Sequence, residues 1–152
     1  MNDKAIVTLI ILPFLLAACA NLNATPTRDM LPTPDPSLVS GYEPQPDDIN
    51  LERSWLFLNW DFCSLEITEG YPVQVSVYLG GDLPNPCHAL RVAVTPANAA
   101  GEINLEVYAL VNPEINCIEM LDPYHVKIPL GAYTSGHYSV LVNGGLLGEF
   151  EP

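Results

Sequence analysis

Three segments of the chain alternate apolar and polar side chains with a period of two. They are residues 73–79, 103–111 and 138–142, and their apolar members are mostly Val, Ile and Leu. A period of two places every second side chain on one face of a β-strand, whereas a helix needs a period near 3.6. No helical stripe of comparable length is visible in the sequence. The patterns therefore predict an all-β domain whose strands each bury one face.

Turn-forming residues separate the predicted strands. They occur at Gly80-Gly81-Asp82, Pro96-Ala97-Asn98, Asn112-Pro113 and Asn143-Gly144-Gly145. Short alternating strands between such turns are typical of antiparallel sandwiches. The sequence predicts an immunoglobulin-like antiparallel β-sandwich of about seven to eight strands. The predicted domain runs from residue 54 to residue 152.

The N-terminus has the composition of an export signal. Lys4 supplies a positive charge, and an apolar run follows from Ala5 to Ala18. The run is too short for a bilayer core of about 30 Å, which requires about 20 residues, but it fits a signal peptide. It ends in Leu16-Ala17-Ala18-Cys19, which resembles the lipobox of bacterial lipoproteins. The resemblance implies that residues 1–18 are removed and that Cys19 carries a diacylglycerol thioether with acyl chains such as palmitate.

Lipidation would decide where the protein is located. Two acyl chains hold a protein stably on a membrane, so the lipid bilayer becomes a partner through acylated Cys19. We expect a lipid-anchored protein of the cell membrane or cell surface, with its domain on the extracytoplasmic side. A plain signal peptide or an uncleaved anchor helix is the alternative, and either would leave Cys19 as an unexplained thiol.

Proline and polar residues dominate residues 19–53. The six prolines of this segment are Pro26, Pro32, Pro34, Pro36, Pro44 and Pro46. No apolar periodicity is present, so the segment cannot bury enough surface to offset its ordering entropy. Proline-rich spacers of this kind favour the extended polyproline II conformation. We therefore predict a disordered tether that lifts the domain off the membrane, with a Pro-rich ligand for a partner as the alternative.

The C-terminal half of the chain carries a hairpin pattern. Residues 136–144 have the form G-x-Y-x-V-x-V-N-G, and further similarities lie at Gly81-Asp82-Leu83-Pro84, Cys87, Cys117 and Ile128-Pro129-Leu130. Over residues 65–150 the chain resembles an uncharacterised set of immunoglobulin-like domains of secreted bacterial lipoproteins. The shared motifs are turns, core positions and a pair of cysteines. The resemblance implies a sandwich fold and carries no activity with it.

Three cysteines remain once Cys19 is assigned to lipid. Thiols outside the cytoplasm tend to pair, and Cys63, Cys87 and Cys117 allow three single pairings. The resembling domains carry cysteines at the last two positions, each beside a loop, which favours a disulfide between Cys87 and Cys117. Cys63 is then a possible free thiol. We expect it to be buried and inert, with a disulfide to another protein as the alternative.

Acidic residues strongly outnumber basic ones, 18 to 5, and the net charge is −13. A nucleic-acid binder needs clustered Lys and Arg, so no nucleic acid is expected as a partner. His88, His125 and His137 do not have metal-binding spacing, and nucleophile, phosphate and dinucleotide motifs are missing. We therefore expect no enzymatic activity, no metal and no cofactor. A metal-binding or redox role would require these histidines, or Cys63 and a histidine, to converge in space.

Four aromatic residues cluster where the domain begins: Trp55, Phe57, Trp60 and Phe62. Tryptophan and other aromatics on a sheet can stack on sugars or anchor a protein partner. In strands, the first two side chains share one face and the last two share the other, so one pair can stay exposed. The segment is therefore a possible binding patch, and core packing is the simpler interpretation.

These observations predict the role of the chain only in outline. We expect a membrane-anchored extracytoplasmic lipoprotein that acts as a non-enzymatic binding or structural module of the cell envelope. Its partner would be an envelope protein or a glycan. The alternative is a proteinaceous inhibitor of a secreted hydrolase, with loops 80–87, 112–116 and 129–137 as candidates for insertion into the enzyme. A metal-binding or redox protein is the third possibility.

Overall fold

A computed structural model describes residues 40–152, which form nine strands and two short 3-10 helices. The strands are β1 Glu52–Ser54, β2 Phe57–Leu58, β3 Ser64–Thr68, β4 Val73–Leu83, β5 His88–Thr95, β6 Glu102–Val111, β7 Asp122–Tyr133, β8 Tyr138–Val142 and β9 Gly145–Phe150. The 3-10 helices are Pro46–Asn50 and Trp60–Phe62. The predicted all-β sandwich is confirmed. The predicted signal peptide, Cys19 and residues 20–39 of the predicted tether lie outside the described residues.

The first sheet contains five strands built around β6. β5 runs along one edge of β6, while β1 and β8 share the other edge, and β9 extends the sheet beyond β8. β8 runs parallel to β6, an exception to the antiparallel pairing expected from the sequence. A parallel pair requires a crossover connection, and here the chain between β6 and β8 passes through β7 in the other sheet.

The second sheet contains four strands with β4 at its centre. β7 pairs with β4 from Val73 to Leu83. β2 and β3 share the opposite edge of β4, and the helix Trp60–Phe62 connects them along that edge. The backbone N–H of Asn59 donates to the carbonyl of Gly80 at 2.9 Å, which fixes this connection against β4. The aromatic segment therefore lies along the edge of β4, near the C-terminal end of that strand.

The hydrophobic core lies between the two sheets. The side chains that are almost completely inaccessible to solvent come from both sheets: Val75, Val77, Leu79, Val92, Ile103, Leu105, Ile128, Val140 and Val142. In β4 and β6 these residues occur at every second position, as the alternation predicted. Removing their apolar surface from water supplies the main driving force for the fold.

The folded domain begins earlier than residue 54, so the predicted boundary with the tether is too late. Tyr42 packs against the core, and its carbonyl accepts a hydrogen bond from the Val92 N–H at 2.7 Å. The Arg91 guanidinium donates two hydrogen bonds of 2.8 Å to Asp48, and they hold the pKa of this carboxyl below its usual value. Pro46 is compatible with this folded segment, because its fixed φ suits the first position of a 3-10 helix.

Asn143 connects the two hairpin strands at the end of the domain and completes the edge of β6. It adopts a positive φ of 48° in the turn between β8 and β9. Its side-chain oxygen accepts from the Val107 N–H at 2.7 Å, and its side-chain nitrogen donates to the Val107 carbonyl at 2.9 Å. The amide thus takes the place of a strand partner for β6 between the stretches paired with β8 and β1.

Between residues 40 and 152, no helix is long and apolar enough to cross a bilayer.

Candidate functional site

Two adjacent glycines create a close approach between strands in the second sheet. The sequence predicts a turn at Gly80-Gly81-Asp82, but all three residues lie inside β4. A Cβ on Gly80 would lie 2.6 Å from the Phe62 Cβ and 3.2 Å from the His125 ring, and one on Gly81 would collide with the Phe57 carbonyl. Glycine inside a strand often marks such a contact with neighbouring chain. The pair therefore lets the aromatic segment and β7 close over β4.

The four aromatic side chains of residues 55–62 are all substantially exposed. The exposed fractions are 66% for Trp55, 54% for Phe57, 46% for Trp60 and 58% for Phe62. The sequence predicted that one pair could be exposed and the other buried. Both pairs are exposed because the segment is not one regular strand: a bridge of two residues at β2 is followed by a 3-10 helix. The two-residue alternation of a strand therefore does not predict which of these side chains are exposed.

The segment also contacts the first sheet. A Cβ on Gly145 of β9 would lie 2.7 and 2.8 Å from two ring atoms of Trp60, so the indole lies directly against the Gly145 backbone. Phe62 lies over Gly80 on the other sheet. Trp60 is thus partly packed, whereas Trp55 is the most exposed of the four aromatic residues. Their predicted role as a binding patch has no direct test in the structure, but their accessibility is compatible with it.

A cleft opens where this segment meets β4 and β7. Its volume is about 440 Å³, within the range of small-molecule sites. Residues from the three neighbouring stretches of chain line it: Asn59, Phe62, Gly81, Asp82, Pro123, Tyr124 and His125. The strand register brings them together, because Gly81 is paired with Tyr124 and Asp82 with Pro123. The cleft is therefore built by long-range pairing rather than by one local motif.

Three polar side chains of the cleft have free hydrogen-bonding capacity. The Asn59 side-chain oxygen accepts from the Asp61 N–H at 3.1 Å, which leaves its NH₂ group as a donor. Among residues 40–152, the Asp82 carboxylate and the His125 ring form no hydrogen bond and no ion pair. His125 is instead held by stacking on Tyr78, with ring centroids 5.7 Å apart and an angle of 12° between the rings. The cleft therefore offers an acceptor, a donor and an imidazole beside the Phe62 ring.

Tyr124 forms a wall of the cleft without offering its hydroxyl group. That oxygen is inaccessible and has no hydrogen-bond partner in the described part of the chain. Burial raises the pKa of Tyr124, and the nearby Cys63 and Asp82 raise it further. Tyr124 therefore stays neutral at physiological pH, and we assign it a packing role.

The cysteines agree with the predicted pairing. Cys87 and Cys117 form a disulfide, with their Cα atoms 6.0 Å apart. Cys63 is free and half-buried, packs against the core, and lies 3.3 Å from the Asn59 carbonyl, to which its thiol donates. Cys19, the predicted lipidation site, lies outside the described residues.

The histidines do not converge on one another. His88 contacts Asn85 at 2.8 Å, His125 stacks on Tyr78, and His137 lies 3.1 Å from Glu151. Within the described residues no group of three or more His, Cys, Asp or Glu side chains is arranged to hold a metal ion. Each of the three histidines thus has a different neighbour among residues 40–152.

Comparison with known families finds a match over part of the sandwich. Residues 77–151 match the model of one protein family. That family is the ORF11 beta-sandwich domain. The match to the ORF11 beta-sandwich domain agrees with the two-sheet architecture and includes both disulfide cysteines, Asp82 and His125. No curated protein and no solved structure matches the chain significantly.

The match to the ORF11 beta-sandwich domain begins within β4 and therefore excludes the aromatic segment and Asn59. The cleft is thus assembled from two parts of the chain: the β4 and β7 residues that line it lie within the matched region, and residues 59 and 62 precede it. Sequence reasoning identified Phe62 but missed Asn59, Asp82 and His125 as neighbours in one site. The available signal was the glycine pair, which we interpreted as a turn rather than as a close approach inside a strand.

Proposed function

We propose that this protein is a lipid-anchored module of the cell envelope that binds a glycan through the aromatic segment 55–62. The observation that carries the proposal is the exposure of four aromatic side chains within eight residues of sequence. Exposed aromatic clusters beside a cleft are typical of binding surfaces rather than of ordinary solvent-facing surface. Tryptophan rings stack on the apolar faces of sugars, and the neighbouring polar groups can bond to hydroxyls.

The proposed anchoring rests on the N-terminal sequence. The apolar run ending in Leu16-Ala17-Ala18-Cys19 resembles a lipobox. The intact mass of the chain extracted from its native membrane tests this proposal. We expect loss of residues 1–18 and a gain of acyl mass, both abolished by Cys19→Ser. A mature chain without acyl mass would contradict the anchor.

Capture by envelope polysaccharide tests the binding function. The full chain in detergent would be sedimented with cell-wall polysaccharide from which protein has been removed by protease. We expect the variant Trp55→Ala/Phe57→Ala to lower the captured fraction at least tenfold, because it removes two exposed rings of the segment. Ile118→Ala is the matched control, since Ile118 is an exposed apolar residue, 64% accessible, outside the segment.

Two outcomes of this experiment would contradict a glycan partner. The first is equal capture of the native chain and the aromatic variant. The second is capture by untreated envelope that disappears after protease treatment, which would indicate a protein partner. The midpoint of thermal unfolding would be measured for each variant. A midpoint equal to that of the native chain would confirm that the variant is folded.

A second candidate function, inhibition of a secreted hydrolase, is favoured by the loop 112–121. Of the three loops considered from the sequence, residues 80–83 and 129–133 lie inside strands. The loop after β6 has no regular secondary structure, is fixed by the disulfide at Cys117, and exposes four apolar side chains: Ile115, Ile118, Met120 and Leu121. An inhibitor would lose its partner in the variant Ile115→Ala/Ile118→Ala and keep it in Trp55→Ala/Phe57→Ala, which is the reverse of the glycan prediction.

A further inference from the structure

We infer that the cleft between the helix Trp60–Phe62 and the paired strands β4 and β7 is a site for a neutral saccharide, with Asp82, Asn59 and His125 as its hydrogen-bonding groups. The inference rests on the proposed function, which it deepens by naming the ligand class and the residues that select it.

The charge of the cleft selects against anions. Asp82 is the only acidic residue among the residues lining it, and no Lys or Arg takes part. The chain as a whole has a net charge of −13. An acidic polysaccharide or a phosphorylated ligand would meet repulsion here without a cation to pair with.

The hydrogen-bonding groups select against a simple cation. A cationic ligand would use the Asp82 carboxylate and the aromatic faces, but it would leave the Asn59 NH₂ group facing another donor. A sugar hydroxyl both donates and accepts. It can donate to Asp82 and accept from Asn59, and His125 can serve either role according to its tautomer. The mixture of donor and acceptor groups therefore matches a polyhydroxylated neutral ligand.

The apolar part of the cleft fits the same ligand. The Phe62 Cβ lies against Gly80 and the residue is still 58% exposed, so its ring is accessible to the C–H face of a pyranose. Stacking of His125 on Tyr78 holds the imidazole in place before any ligand binds. Tyr78 is in turn fixed by Lys127, whose ammonium lies 5.3 Å from the Tyr78 ring centroid and forms an ion pair with Glu66. The polar groups are thus positioned by the fold, which lowers the entropy lost on binding.

Calorimetric titration of the full chain with defined trisaccharides tests the inference. The probes are N-acetylchitotriose, cellotriose and maltotriose as neutral sugars, glucosamine trimer as a cation and trigalacturonate as an anion. We expect at least one neutral trisaccharide to bind, at least tenfold more tightly than either charged one. Asp82→Ala should weaken this binding at least tenfold, and His125→Ala should weaken it by a smaller factor.

Asp61→Asn is the matched control, because Asp61 is an exposed acid of the same segment that does not line the cleft. Its affinity should equal that of the native chain. Three results would overturn the inference: no binding of any neutral trisaccharide, tighter binding of the glucosamine trimer, or equal losses in Asp82→Ala and Asp61→Asn. If these results came with capture of envelope polysaccharide that still depends on Trp55 and Phe57, the cleft assignment would fail and the proposed function would stand.

Discussion

Replacing Cys87 and Cys117 together by serine is expected to lower the free energy of unfolding by about 3.5 kcal/mol on the chain-entropy model. The two residues are 30 positions apart, so the bond closes a loop that contains β5, β6 and most of the 112–121 loop. Without the bond the conformational entropy of the unfolded chain rises, whereas that of the folded chain changes little, so unfolding becomes more favourable. For a domain whose total stability is of the order of 10 kcal/mol, this is a large fraction.

Urea denaturation of the native chain and of Cys87→Ser/Cys117→Ser measures the effect. Cys63→Ser is the matched control, because it replaces a half-buried cysteine and leaves the disulfide intact. Reduction of the native chain should reproduce the double variant. Two results would contradict the disulfide as the constraint that holds the 112–121 loop. One is a double variant with the same urea midpoint as the native chain, and the other is an equal loss of stability in Cys63→Ser.

Asn143→Ala is expected to destabilise the domain by about 2 to 4 kcal/mol, from lost hydrogen bonds and from the strain of a side chain at positive φ. The substitution removes both side-chain hydrogen bonds to Val107, whose backbone is buried in β6. It also places Ala at φ 48°, where residues other than Gly and Asn are strained. Val107 would be left with an unsatisfied donor and acceptor inside the sheet.

Asn143→Gly separates these two contributions. Glycine accepts the positive φ without strain but makes neither side-chain bond, so we expect a loss smaller than that of Asn143→Ala by about 1 kcal/mol. The same urea denaturation measures both variants. Native-like stability of Asn143→Ala would show that water replaces the amide at β6, and equal losses in the two variants would show that φ strain contributes nothing.

The local pattern of the sequence was sufficient to predict the strands and the layer architecture. The alternation in residues 73–79, 103–111 and 138–142 depends on neighbours in the chain, and β4, β6 and β8 contain those segments. The parallel pairing of β8 with β6 was not predicted, because it depends on how a connection crosses between sheets. The start of the domain was misplaced because Asp48 is held by Arg91, a partner far away in sequence.

Less of the candidate site than of the fold could be predicted from the sequence. The exposed aromatic residues were recognised as a group, but their exposure depends on the 3-10 helix Trp60–Phe62 replacing a strand. Gly80 and Gly81 have the composition of a turn, and only the approach of Phe57 and Phe62 shows why β4 continues through them. Asp82 and His125 become neighbours of Asn59 through strand pairing, which no local motif records.

The proposed site lies partly inside and partly outside the region that matches the ORF11 beta-sandwich domain. The matched residues 77–151 supply both faces of the core, the disulfide and two of the polar groups in the cleft. The exposed rings of Trp55, Phe57, Trp60 and Phe62 precede the match. We therefore expect ligand affinity to depend on both parts, with the aromatic segment adding stacking to the polar selectivity of β4 and β7.

If the aromatic segment and the cleft form one glycan site, as we propose, a chemical-shift map tests this most directly. The ¹⁵N-labelled full chain would be titrated with the tightest-binding neutral trisaccharide. We expect the largest changes at the backbone amides of Asn59–Phe62, Gly80–Asp82 and Tyr124–His125 and at the Trp55 and Trp60 indole groups. Changes confined to the 112–121 loop, or no saturable change, would contradict the claim.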